Sequence, residues 1–430
     1  MRYNDYQVQS LIPGGNKWFM LLVCLIGYST LNRGFAYIGY YPFFVGELAM
    51  VISMLILNHE RTLPRFLGTS AGKIWAVFFI YSLIIFTFSA LDDVNESIRN
   101  SVFWVYTIFF YIGYSYGGRL IQRQELDRFQ SFLAICSVAS IVYFALFPIR
   151  DKFLETTMFL HGGKIALVGY YSTLHALSLG LVFFLLFYKQ TKFYLLLVMF
   201  GMFMILAVSQ SRAAILATST MLLYLLFVHR RVSEYKVLIK LLTIVVIAGV
   251  IYTLSGITIE GSRGDVSIGF FKNAIESIFF SSNIDALEGS RADRLMWWEG
   301  IIERTASTDF SLFFGIGMDS ILVNRATGPG TILRYPHNSF VSVFAFLGII
   351  GFCLYVMIAG LVLRKLAKLA RTDNVLPLLK WYPFFAIGYF VSAFFSTVFE
   401  APFHSFVFWT ITGVAYRAAY QTGLHRQTLS

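Results

Sequence analysis

Apolar runs of near-membrane-spanning length follow one another along this chain, and no other property restricts its fold as severely. They fall around residues 17–34, 41–58, 74–91, 100–117, 130–147, 166–188, 192–208, 212–228, 236–255, 337–363, 383–399 and 403–420. A straight helix needs about 20 mostly apolar residues to cross a bilayer core, and several of these runs fall somewhat short of that. The expected fold is all-α: a polytopic membrane protein of about twelve transmembrane helices. Composition agrees, because 57% hydrophobic and 13% charged residues in 430 is more apolar surface than a soluble fold requires. The 45 Phe residues suit lipid-facing helices with interfacial aromatic belts. The first run follows a polar N-terminus and lacks a small-residue cleavage site, so it is expected to persist as a helix. Only Val208–Ser211 separates the seventh and eighth runs, which points to a tight hairpin or a partly re-entrant turn there.

Charge sets the orientation. With the N-terminus in the cytoplasm, the inner connections collect Arg61, Arg65 and Lys73; Arg119, Arg123 and Arg128; Lys189 and Lys192; Arg230, Arg231, Lys236 and Lys240; and Arg364, Lys365, Lys368, Arg371 and Lys380. The short outer connections hold little, for example Asp92, Asp93, Glu96 and Arg99. This positive-inside pattern puts both termini in the cytoplasm and the long 256–336 connection outside. Three regions follow: nine helices over 1–255, a loop with amphipathic helices over 256–336, and three helices over 337–430. Cytoplasmic Lys and Arg account for the net charge of +11, and no basic-aromatic nucleic-acid module is present.

Several chemistries drop out at this stage. Cys24, Cys136 and Cys353 each sit in an apolar run and read as packing residues. No His, Cys or carboxylate cluster has metal-ligand spacing, so neither metal nor cofactor is expected. There is no phosphate-binding GxxxxGK[ST] loop. No internal repeat appears, and Glu47 is the main acidic residue within an apolar run, which counts against a secondary transporter.

Chemistry is expected in the second half of the outer loop, Gly289–Asn338. Phe270–Phe280 has apolar residues at helical spacing and could lie flat on the membrane. Ser290–Ile302 reads as an amphipathic helix capped by Ser290, with Leu295, Trp298 and Ile302 on one stripe. Arg291 and Arg294, at i and i+3 near its N-terminus, would make a diphosphate cradle with the free backbone N–H groups. Surface salt bridges to Glu288, Asp293 and Glu299 explain the pair equally well. Arg212 stands at the outer end of a helix with little loop to hold it in water. It must snorkel or meet an anion in a polar cavity. His337 sits where the loop returns to the membrane, suited to accept a proton near neutral pH. Arg334, Tyr335, Asn338 and Trp298, with His404 and Glu400 from the last outer connection, are the candidates for lining an acceptor cavity.

SRAAIL at a helix start, RLMWW in the outer loop, FGIGMDS, and PHNSF followed by FLGIIG together resemble the O-antigen ligase/polymerase superfamily. These are bacterial membrane glycosyltransferases of the C-type class, and the resemblance covers Val208–Gly351. It implies transfer of a glycan from undecaprenyl diphosphate to an acceptor hydroxyl at the periplasmic face of the inner membrane. Two arginines would hold the diphosphate and a loop histidine would act on the acceptor, without metal or cofactor. By motif these are Arg212, Arg294 (with Arg291 as its rival) and His337. The partners implied are the lipid-linked donor, membrane lipids, and an acceptor that is either a lipid-linked repeat or lipid A-core. The Arg304–Gly315 spacing inclines the reading slightly toward polymerase over ligase. A transporter of lipid-linked oligosaccharide is the rival from another class.

Overall fold

The structure, a computed structural model, describes residues 16–40, 42–60, 62–145, 211–228, 285–328, 331–370 and 376–427, with residue 243 and the short paired segments 157–160, 163–166, 260–261 and 264–265. The predicted runs at 166–188, 192–208 and 236–255 fall almost wholly outside these residues, as do the hairpin before Ser211 and the flat helix at Phe270–Phe280.

The described chain is mostly helical, with four two-stranded antiparallel hairpins. The principal helices are α1 (Phe19–Leu31), α2 (Val45–Glu60), α3 (Ser70–Asp92), α4 (Val94–Asn100), α5 (Ile108–Gln122), α6 (Leu126–Ala145), α7 (Arg212–Val228), α8 (Asp285–Thr305), α9 (Asp309–Phe314), α10 (Ser339–Ala370), α11 (Pro377–Ala393) and α12 (Pro402–Gln427). Among the described residues, α3 and α10 are long and apolar enough to cross a membrane, and α1 and Val45–Leu57 are shorter apolar helices. The predicted span at 100–117 is divided. Phe109 and Phe110 donate to Tyr106 and Thr107, three residues back, so the chain turns tightly before α5 begins.

α3 shows what the molecule faces. Val77, Ile80, Ile84, Phe88 and Leu91 form an exposed apolar stripe, while Ser82 and Ser89 are buried on the inner side. An apolar exterior over a partly polar interior suits lipid as the surroundings. Thr69 starts the helix by accepting from the Gly72 N–H at 3.0 Å. Asp93 ends it and caps α4, accepting from the N–H groups of Asn95 and Glu96 at 3.0 Å each.

Among the described residues, α5 and α12 form the most extensive helix pair. A Cβ on Gly113 would come within 2.2 Å of the Thr410 carbonyl oxygen, so only glycine allows this approach. In lipid there is little hydrophobic drive between helices, and association relies on such close packing. Phe109 meets Phe406 at 4.3 Å between ring centroids and Gly117 meets Val414, so the two helices run parallel. The core beside them is aromatic, with Tyr355, Phe399, Phe408 and Trp409 in mutual edge or tilted contact.

α10 is broken at Gly348, whose φ of 63° and ψ of −170° interrupt the helix. The segment after α9 fills the gap. Ile316 N–H donates to the Ala345 carbonyl at 2.8 Å, and the Tyr81 hydroxyl of α3 donates to the Leu347 carbonyl at 2.8 Å. FGIGMDS and FLGIIG, far apart along the chain, are therefore one structural unit. A broken backbone at this depth is tolerable because protein, not lipid, supplies the missing partners. The long connection before α10 is thus not wholly a surface feature.

Candidate functional site

The RYPHNS segment is pinned from both sides. Before it, strands Arg325–Gly328 and Thr331–Leu333 pair antiparallel, and Val323 N–H donates to the Arg334 carbonyl at 3.0 Å. Arg334 then pairs with Glu96 of α4 at 2.5 Å. The Tyr335 hydroxyl donates to Asn100 Oδ1 at 2.8 Å, and Asn100 Nδ2 donates to the Met318 carbonyl at 2.7 Å. One short helix, α4, therefore clamps both passes of the loop. Arg334 and Tyr335, proposed from sequence as cavity residues, serve here as anchors. Glu96 and Asn100 were missed, although their i, i+4 spacing after the Asp93 cap puts them on one helix face.

Asn338 is buried, and its Oδ1 accepts from Phe340 and Val341 N–H at 3.0 and 3.2 Å. It is the N-cap of α10, a structural role that its residue type favours. Ser339 follows and ties α10 to the α11–α12 connection. Its hydroxyl donates to the Glu400 carboxyl and accepts from Val398 and Phe399 N–H at 2.9 and 3.1 Å. Burial holds the Glu400 carboxyl above the usual carboxylate range. Glu400 is close enough to Tyr335 to raise that hydroxyl's pKa further, after burial itself. His404 lies in the first turn of α12 against Phe403 and Tyr389, at ring-centroid distances of 4.4 and 6.4 Å.

His337 stands between these anchors with φ of 53°, a left-handed conformation uncommon outside glycine. Its imidazole pKa is pushed down to about 4, first by burial and then by the Arg294 guanidinium. The histidine is therefore neutral near pH 7. Arg294 comes from α8, which is fastened beside it: Trp298 Nε1 donates to the Pro336 carbonyl at 2.8 Å.

α8 corrects the sequence reading in two ways. It begins at Asp285, five residues before Ser290, so Ser290 lies inside the helix and does not cap it. Arg291 and Arg294 consequently sit in its second and third turns, away from the free N–H groups of the first turn. The helix also presents a different face. Ile301 and Thr305 are buried and Arg294, Trp297 and Trp298 are half-buried, whereas Leu295 and Ile302 are exposed. Arg294 thus lies on the inward face. Arg291 is within the helix, its side chain outside the described residues. Asp293 forms an ion pair with Arg325. Arg304 donates through both terminal nitrogens to the Ile321 carbonyl at 3.4 Å. A groove of about 260 Å³ lies between α8 and residues 322–325, lined by Trp297, Arg304 and Asn324 among others.

Arg212 is the first residue of α7, half-buried, directly after Ser211, whose hydroxyl accepts from Ala214 N–H at 3.4 Å. α7 packs on α11, with Tyr224 and Phe384 edge to face at 5.0 Å. A cation at a helix N-terminus opposes the helix dipole, and an anion placed there relieves both charges. The structure thus brings Arg294 to His337 and sets Arg212 at a separate helix start. Glu47, the acidic residue of the second run, accepts from Phe44 N–H at 3.1 Å and from the Tyr106 hydroxyl at 2.8 Å.

Among known families, residues 197–356 match the model of one described as O-antigen ligase. That interval spans α7, α8, the segment filling the α10 break, His337 and the first half of α10. No curated protein matches the chain.

Proposed function

From membership of the O-antigen ligase/polymerase superfamily, which that match supports, we propose that this chain is a membrane glycosyltransferase taking its glycan from undecaprenyl diphosphate. Transfer goes to an acceptor sugar hydroxyl at the periplasmic face of the inner membrane, with both termini in the cytoplasm. The observation that carries the reading is the Arg294–His337 juxtaposition, a guanidinium beside a neutral imidazole at the lip of α10.

In the mechanism, Arg294 and Arg212 hold the diphosphate. Fixed guanidiniums stabilise the negative charge that develops as it leaves, in a site poor in water. His337 accepts the proton of the attacking hydroxyl while the new glycosidic bond forms and the anomeric carbon–phosphate bond breaks. No enzyme nucleophile is required, so the anomeric configuration inverts. In the absence of donor, burial and then the Arg294 guanidinium keep His337 a weak base. A bound diphosphate cancels that part of the depression and makes the imidazole more basic when the donor is in place.

Polymerisation of lipid-linked repeats is the favoured reaction, with ligation to lipid A-core as the alternative. Purified protein given lipid-linked repeats alone should lengthen them; a strict requirement for lipid A-core would make it a ligase. Unchanged transfer after both Arg294→Ala and His337→Ala would exclude this mechanism. A transporter of lipid-linked glycan is disfavoured because Glu47 is committed to hydrogen bonds within the fold.

A further inference from the structure

α12 carries a second cluster of positive charge at its opposite end. Arg417 lies fifteen residues beyond Pro402, about 22 Å along the helix at 1.5 Å per residue. There a cavity of about 310 Å³ is lined by Arg65, Arg119 and Arg417, with hydroxyls from Thr62, Tyr114 and Ser115. The three guanidiniums come from three places: the short helix Leu63–Leu67, α5 and α12. No carboxylate is among the described lining residues.

The cavity is organised. Arg417 Nη1 donates to the Tyr114 hydroxyl at 2.7 Å, and its guanidinium lies over the same ring at 4.8 Å. Its Nε is buried and has no partner. Ser115 donates to Thr62 at 2.9 Å, which fixes two hydroxyls at the rim. Lys365 stacks over Tyr416 and Tyr420 at 5.2 and 4.2 Å and adds charge at the same end. Arginines that merely mark a cytoplasmic face can point apart into water. Guanidiniums that converge on one cavity repel one another, and an anion held between them relieves that repulsion. Guanidinium forks match phosphate oxygens best, and basic pockets between helices at a membrane's inner face suit lipid phosphates.

We propose that this cavity binds the phosphate group of an anionic ligand, at the end of the helix bundle opposite the candidate transfer site. The same chemistry is offered by a phospholipid headgroup and by a soluble phosphate, and the experiment separates them. Full-length protein carrying Arg212→Ala and Arg294→Ala, which removes both arginines expected to hold phosphate at the transfer site, is placed in phosphatidylcholine nanodiscs with phosphatidylglycerol added or omitted. Inorganic pyrophosphate is titrated in a parallel series. The expected result is a rise in unfolding midpoint of about 3 °C or more with phosphatidylglycerol, lost when Arg65→Gln and Arg119→Gln are added. The same rise with pyrophosphate in phosphatidylcholine alone, again lost in that variant, identifies a soluble source. No rise with either, or a rise the added substitutions leave intact, overturns the proposal. Should the combined variant fail to fold, Arg65→Gln alone is compared by native mass spectrometry. Retention of as much phosphatidylglycerol as its parent then overturns the headgroup reading, and unchanged pyrophosphate retention overturns the soluble one.

Discussion

Arg294 and Arg291 are indistinguishable by sequence spacing; Arg294 is the one whose side chain the structure describes. Arg294 is turned toward His337 with Trp297, Trp298 and Ile301. Arg294→Ala is expected to reduce transfer about 100-fold or more, the scale of losing one donor to a developing oxyanion. Arg291→Ala should cost less than about tenfold, and equal losses would restore the rivalry. His337 makes a second prediction through pH. Its imidazole titrates at about 4 instead of 6.5, so the acid limb of kcat/KM, which reports the free enzyme, should lie near pH 4. The limb of kcat should lie higher, because the bound diphosphate opposes Arg294. Between pH 6.5 and about 4 the unfolded chain takes up a proton that the buried imidazole refuses. Native stability therefore falls as pH drops through that window. His337→Ala should flatten this part of the thermal-stability profile.

At the scale of elements, the break in α10 is the device on which the site rests. Gly348 needs a positive φ, and a Cβ there would come within 2.3 Å of the Phe313 carbonyl oxygen. Gly348→Ala is therefore expected to destabilise by more than the ~1–2 kcal/mol of a left-handed residue alone, read as a lowered unfolding midpoint. A near-neutral result would mean the helix can straighten. Neither FGIGMDS nor FLGIIG reveals its partner in sequence, because the pairing depends on two backbone breaks meeting across a long separation. His337 was legible because histidine is rare in this chain and falls at a polar-to-apolar boundary. Asn338 caps α10, and a cap and a ligand look alike in sequence. The Ser339–Glu400 tie left no local signal at all. The misplaced start of α8 has a simple cause: serine is a strong cap, yet Asp285–Glu288 also suit a helix start and the helix runs through Gly289.

At the scale of the whole molecule, the membrane character was the most legible property, because lipid imposes its constraint on every apolar run at once. The number of spans is less directly visible. Aromatic, Thr-bearing stretches such as 100–117 satisfy the hydropathy pattern and still turn within it. Orientation is open to a direct test. Cys24 and Cys136 are buried and Cys353 faces outward from α10, so single new cysteines can be compared against a low background. A membrane-impermeant maleimide applied to spheroplasts should label Glu303→Cys and spare Lys368→Cys until the membrane is permeabilised. The reverse pattern would invert the topology and move the proposed transfer to the cytoplasm. The parallel course of α5 and α12 accords with the predicted alternation, in which both descend from the outer face.

The hydrogen bond from Ile316 to Ala345 has a mechanical corollary. Pulling the FGIGMDS hook away would strand a carbonyl in hydrocarbon, so the lip and the transbilayer rod beneath it can only loosen together. Deuterium uptake at the Ile316 amide would then keep time with the unravelling of that rod, and the swing that admits a substrate must be sought in some other part of the rim.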